Sequence, residues 1–438
     1  MHKTTAPNDP HSYTFRPIIF SGSIKIETPQ RQILRIYGYA LSKLTGRQIH
    51  VGLVWNTRDG ATKVPLRIDD DEFAIWLQKL LRAREAASPP PLFLNDHCQI
   101  CEFRQRCRKQ AIDESNLSLL KGMAVNEIAK YNAKGLFTVN QLSYTFRSRR
   151  KPKRARATTG PHYFSLQAQA LREKKIFIHG AVNFKIGEPR VYFDIEGTPE
   201  TRSHYLIGAL VVEHVKEEFA SFWAGHDDER REIFSEFLRY ISKLPRHHLL
   251  HFGSYETSAL RHAKSLVPRE LVPALDEALG RSTNLLSVIR TCVCFPTYSN
   301  SLKEIGEFLG AKWSEEYPSG IHTLAWRERW LRSGDSMWTE RLLKYNREDC
   351  CALRQVAECL DELVAKQDVP RQLGADPKLV FTDTLPKGER KWHIFRKQDF
   401  AIRKFERINQ CAYFDYQRDR DCGAIRAPPE WRADEVIE

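Results

Sequence analysis

Over residues 1–96, short apolar runs alternate with polar turns. Pro17–Phe20 and Val51–Trp55 have strand length, whereas Gln32–Leu44 and Asp70–Arg84 carry apolar residues at helical spacing. Ser88-Pro89-Pro90-Pro91 closes this α/β stretch, because consecutive prolines continue neither element. Two short helical patterns follow within Leu117–Leu142, flanking Lys134-Gly135, where the glycine suits a helix C-cap. They predict a small helical hairpin. From Arg190 the pattern changes. Val191–Ile195, Tyr205–Val212 and Phe219–Trp223 read as three strands, and Ile233, Phe234, Phe237, Leu238 and Ile241 mark a helix over Asp228–Lys243. His248–Phe252 reads as a fourth strand, and three or more helical segments follow to about Lys366. Strands in succession, a crossing helix and another strand predict an α/β fold with a mixed sheet flanked by helices.

At 438 residues, 42% hydrophobic and 11% aromatic, the chain is long enough for two or three domains with cores of their own. There is no apolar run of eighteen residues, and Met1-His2-Lys3-Thr4 lacks the apolar centre of a secretion signal. The expectation is a cytoplasmic protein with no membrane partner, its ten cysteines mostly reduced. The net charge of +13 is concentrated: Cys98–Gly160 holds 14 Lys/Arg against 4 Asp/Glu. Arg147, Arg149, Arg150, Lys151, Lys153, Arg154 and Arg156 form a like-charge block too repulsive for a core, and read as an exposed linker. Clustered cations attract phosphate backbones and release their counterions. Nucleic acid, DNA or RNA, is therefore the expected partner, and this block the expected contact. A bare solvated tether is the alternative.

The chemistry enters at Val191-Tyr192-Phe193-Asp194-Ile195-Glu196-Gly197, an apolar strand ending on two carboxylates one residue apart. Side chains at i and i+2 leave one face of a strand, so Asp194 and Glu196 converge. Carboxylates held that close repel unless a divalent cation lies between them. Hydrolysis of a phosphodiester by two such ions calls for three or four carboxylates and a group that orients water. Glu256, just after the fourth strand, is a candidate third acid. Tyr345 and Asp349 stand at i and i+4, on one face of a helix. The expected catalytic set is Asp194, Glu196, Glu256, Tyr345 and Asp349. Its four acids would hold two Mg2+ or Mn2+ ions, and Tyr345 would aim the attacking water.

An acid-x-Glu on the first strand, an acid after the fourth and Tyr-x-x-x-Asp on a late helix resemble the DnaQ-like 3′–5′ exonuclease superfamily. The resemblance is to the tyrosine-bearing (DEDDy) subclass, since the histidine variant would need His where this chain has Lys344. Asn300-Ser301-Leu302-Lys303-Glu304-Ile305 with Leu309-Gly310 is similar to the segment that precedes the last motif in these enzymes. The whole looks like a YprB-type ribonuclease H-like domain fused to a RecB-like nuclease. This implies a metal-dependent 3′–5′ exonuclease. One departure is that the third acid is usually Asp in the superfamily, where this chain has Glu256. Two other readings stand beside it: a nucleic-acid-binding protein that keeps the fold without catalysis, and a transposase-type enzyme. The carboxylate pair and Tyr345 argue against the second.

Cys98, Cys101 and Cys107 resemble the cysteine group of RecB-like nucleases that carry an iron–sulfur cluster. That cluster takes four thiolates, and residues 1–97 contain no cysteine, so the set is incomplete. His97 as a fourth ligand would instead suit zinc. The N-terminal stretch looks like the back half of a RecB-like domain without its active site, since Gln32 and Tyr37 are spaced one residue too far for the family's helix motif. The expected organisation is a RecB-like remnant at 1–97, a cysteine cluster with helical hairpin at 98–146, and a basic linker at 147–187. The ribonuclease H-like domain follows at 188–366, then a basic aromatic tail at 367–438, helical over Phe400–Ile408.

Overall fold

The computed structural model describes residues 2–6, 9–21, 26, 28–56, 60–85, 89–99, 101–146, 161–198, 203–226, 229–315, 320–367 and 378–385. The basic block at 147–156 and the tail from 386 onward, including the helix expected at Phe400–Ile408, lie outside the described residues. The chain divides into two compact units, Met1–Pro91 with Gly197–Tyr205, and Leu92–Glu196 with Leu206–Glu438.

In the first unit, β1 (His2–Ala6) and β2 (Asp9–Arg16) pair antiparallel. There follow β3 (Ile18–Ser21), α1 (Thr28–Thr45), β4 (Val51–Asn56), β5 (Gly60–Pro65) and α2 (Asp71–Glu85). The sheet order is β3-β4-β5, with β3 parallel and β5 antiparallel to β4. Leu34, Ile49, Val54, Val64, Leu66, Ile68 and Phe73 form its core. Glycine lets α1 approach this core closely: a Cβ on Gly38 would meet Leu66 Cδ1 at 2.4 Å.

The second unit starts with α3 (Arg104–Asp113), α4 (Val125–Asn132), α5 (Val139–Ser143), α6 (Pro161–Glu173) and β6 (Ile176–Ile178). The expected hairpin is α4 and α5. Gly135 between them has φ 76°, and Thr138 and Gln141 form a reciprocal N-terminal cap on α5. It is not a free-standing module. Leu117, Leu120, Met123, Leu136, Val139 and Leu142 share a core with Ala168 of α6, and Tyr298 packs against it. Residues 161–178, expected within the basic linker, instead form α6 and β6. Leu166, Ala168 and Ala170 are buried there, an apolar signal overshadowed in the sequence by the cations just upstream.

The remaining elements are β7 (Arg190–Thr198), β8 (Ser203–Glu213), β9 (Lys216–Trp223), α7 (Arg230–Ile241), β10 (His248–His251), α8 (Tyr255–Ala263) and α9 (Val272–Gly280). Then come β11 (Ser282–Asn284), α10 (Leu285–Cys292), β12 (Val293–Cys294), α11 (Leu302–Leu309), α12 (Gly320–Ser333), α13 (Ser336–Gln367) and β13 (Leu379–Phe381). The main sheet runs β11-β10-β7-β8-β9, with β10 parallel to β7 and β11, and β9 antiparallel to β8. A small second sheet, β12-β6-β13, takes in residues 379–381 of the expected tail. The fold is the mixed α/β, ribonuclease H-like arrangement expected.

The pleat of β7 assigns its residues to opposite cores. Val191, Phe193 and Ile195 pack with α7, α8 and α9, whereas Tyr192 packs with α10, α11 and α13. Period-2 alternation therefore sends Asp194 and Glu196 to the face covered by α13. α11 is pressed against that helix at Gly306, where a Cβ would meet Trp313 at 2.8 Å and Ala352 Cβ at 3.3 Å. Gly306→Val is expected to wedge α11 off α13 and destabilise the unit by about 1–3 kcal/mol, read as a lowered urea midpoint at unchanged m-value.

Candidate active site

Asp194 and Glu196 leave β7 toward α13, and Asp349 leaves α13 toward them. One carboxylate oxygen from each of the three lies within 4.8 Å of the others. Asp349 is buried and Asp194 partly so. Loss of hydration disfavours the charged forms, and mutual repulsion adds to it. Burial, then the neighbouring charges of Glu196 and Asp349, push Asp194 well above the usual carboxylate range. Burial, then Asp349, push Glu196 up to about 8. Asp349 is raised by burial, while the Lys303 ammonium and the Trp313 indole pull it back down.

Each acid has a fixed partner. Thr323 Oγ1 of α12 donates to Glu196 Oε2 at 2.8 Å. Asn346 Nδ2 donates to Asp194 Oδ2 at 2.8 Å and to its carbonyl at 3.2 Å. Trp313 Nε1 donates to Asp349 Oδ1 at 2.7 Å, and the Lys303 ammonium forms an ion pair with the same oxygen. Asn346 reaches β7 across β8 because residue 208 has no side chain. A Cβ there would sit 1.7 Å from Asn346 Oδ1.

Tyr345 is only 1% exposed and packs edge-on against Trp326, with centroids 5.7 Å apart. Burial, then the charges of Asp349, Glu196 and Asp194, raise its hydroxyl far above the ordinary tyrosine value. It is therefore a protonated hydrogen-bond donor at neutral pH. The Lys303 ammonium lies 4.2 Å from the centre of the Tyr345 ring and 4.7 Å from that of Trp313.

Glu256 is buried in the first turn of α8. Its Oε2 lies 3.4 Å from His251 Nδ1, and among the described residues neither atom has a hydrogen-bond partner. Its charge reaches Asp194 and Glu196, but its oxygens are not in the 4.8 Å group. Cys98, Cys101 and Cys107 are free, half-buried thiols, and among the described residues they do not gather into a metal-sized cluster. The seven cations at 147–156 lie outside the described residues. Cys350, next to Asp349 on α13, is buried in the core that this helix shares with α10 and α11.

Reading the motifs alone missed Lys303, Trp313, Thr323, Asn346 and Gly208. Lys303 stood within the segment similar to the family's penultimate motif, and Asn346 stood next to Tyr345. Thr323 and Trp313 carry no spacing signal of their own.

The three acids form an all-oxygen donor set suited to a hard divalent cation. The repulsion among them, and the ammonium already seated on Asp349, are what a bound cation would relieve or replace. Residues 191–361 match a family model described as RNase_H superfamily. That segment runs from β7 into α13 and includes Asp194, Glu196, Glu256, Tyr345 and Asp349. No curated protein and no solved structure matches the chain. Domains of this superfamily act on nucleic acids and typically use divalent metals, so the match points to nuclease-type chemistry. No described helix is long and apolar enough to cross a membrane.

The acids' protonation links stability to pH. Glu196 holds its proton up to about pH 8 when folded but releases it near 4.5 when unfolded. Between those values the folded state binds more protons, so without metal its stability falls as pH rises through this window. Thermal unfolding in chelator should show Tm falling from pH 5 to pH 9, less steeply in Glu196→Gln. Added Mg2+ or Mn2+ should raise Tm most at the alkaline end.

Proposed function

We propose that the chain is a metal-dependent nuclease that removes nucleotides from the 3′ end of a DNA or RNA strand. The observation that carries this reading is the convergence of Asp194, Glu196 and Asp349, whose charges all act on the Tyr345 hydroxyl. Asp194, Glu196 and Asp349 would hold two Mg2+ or Mn2+ ions, with Glu256 as the outlying fourth acid. When bound, such ions supply Lewis-acid charge neutralisation at the phosphoryl group.

The chain's own groups would do the rest. Thr323 and Asn346 fix the carboxylate orientations before substrate arrives, which avoids reorganisation at the moment of reaction. Tyr345, protonated and held by Trp326, would orient the attacking water by hydrogen bonding. Lys303 would contribute positive charge where the phosphate carries negative charge. The absence of His at residue 344 leaves water positioning to the tyrosine.

A binding-only reading is favoured by one observation, the turning of Glu256 toward His251. The two are separated by activity. A labelled oligonucleotide, single- or double-stranded, DNA or RNA, should be shortened from its 3′ end in Mg2+ or Mn2+ and left intact in chelator. Asp194→Ala should abolish cleavage without loss of fold. No cleavage of any of these substrates by the wild-type chain would leave only the binding reading. Tyr345→Phe should lower kcat by about two orders of magnitude with KM little changed.

A further inference from the structure

Lys303 stands where a lysine is poorly placed for its own helix. It is the second residue of α11, just after the Ser301 cap, and the dipole of a first turn disfavours positive charge. Its ammonium is directed instead to Asp349, with which it forms an ion pair. The acceptor is Oδ1, the same oxygen that takes the Trp313 indole N–H at 2.7 Å. A carboxylate oxygen has two lone pairs, and these two donors use both. Oδ1 is thereby closed to a metal ion for as long as Lys303 stays. The charge of Lys303 also acts on Asp194 and Glu196. In the free chain this ammonium already stands in for a bound cation.

The balance of charge limits what can join it. When ionised, Asp194, Glu196 and Asp349 together with Lys303 carry two net negative charges, which a single divalent ion neutralises. A second ion would overload the site even with the more distant charge of Glu256 counted. A phosphodiester brings one further negative charge, and with it the four acids balance two divalent ions and the ammonium together. Lys303 is also placed to move. Its side chain is 25% exposed, against 8% for Asp349, and sits on a flexible four-carbon stem. The rings of Tyr345 and Trp313 would still favour the cation once the carboxylate released it.

We infer that Lys303 is an exchangeable placeholder. In the strand-free chain it occupies the place of the second divalent ion at Asp349, and it gives up that oxygen when a phosphate arrives. The free site then takes one ion and gains the other only with the substrate. This rests on the nuclease reading for the identity of the phosphate.

Ion counts test the placeholder without any cleavage. Calorimetric titration with Mn2+, taking the Asp194→Asn chain as the baseline for ions bound elsewhere, should find one ion on the wild-type chain. It should find two when saturating AMP or dAMP, a product that cannot be cut further, is present. Lys303→Met keeps an apolar stem against both rings and removes the charge. That variant should bind two ions with no nucleotide, the first about tenfold or more tighter than in wild type. Lys303→Arg, which keeps the charge, should stay at one. The two wild-type counts decide even where Lys303→Met fails to fold.

Two ions on the free wild-type chain would overturn the placeholder, as would a folded Lys303→Met chain that stays at one. A wild-type count that remains at one with nucleotide would overturn the exchange in favour of Lys303 as a permanent substitute for the second ion. All three outcomes leave the nuclease reading to be decided by 3′ cleavage. The expected counts without cleavage of any oligonucleotide would keep the exchange and remove the nuclease. No ion on the wild-type chain would overturn both.

Discussion

Three carboxylates held within a few ångströms in a part-buried site set the terms for everything around them. Desolvation and repulsion both oppose that arrangement, so the chain must hold it by force of packing and compensate it chemically. The compensation is visible on each acid: a hydroxyl on Glu196, an amide on Asp194, an indole and an ammonium on Asp349. These donors come from α11, the stretch after it, α12 and α13. The helices on that side of the sheet therefore serve both as core layers and as the scaffold of the site.

The strand that bears two of the acids combines both roles in the same way. Its odd-numbered apolar residues fix β7 in one core, and Tyr192 anchors it in the other. Asp194 and Glu196 continue the Tyr192 face just beyond the point where apolar packing gives out. Such a placement makes a polar site rigid, because moving the acids requires unpacking both sides of the sheet. Glu256 shows what happens away from this support. It leaves from a helix start rather than a central strand, and its carboxylate turns toward His251 instead of joining the three.

Much of this was legible in the residues. The Asp194/Glu196 pair could be read because strand periodicity has only two faces, and Tyr345 with Asp349 because helical periodicity aligns i and i+4. The mixed sheet followed from strand-length apolar runs and one clear amphipathic helix. What escaped were groups whose role depends on long-range meeting. Thr323 lies 127 residues from Glu196, and Trp313 lies 36 residues from Asp349, so no local spacing could pair them. The join of the hairpin to α6 escaped for a related reason. A run of cations dominated the composition there, while the small apolar residues Ala168 and Ala170 gave little signal.

The close fit of Asn346 against Gly208 has a consequence for how this sequence can change. The amide oxygen of Asn346 occupies the space that any side chain on residue 208 would need. Neither position can drift alone: enlarging one evicts the other and releases Asp194 from its donor. A side chain on residue 208 of β8 is therefore penalised unless residue 346 on the helix above it shrinks at the same time.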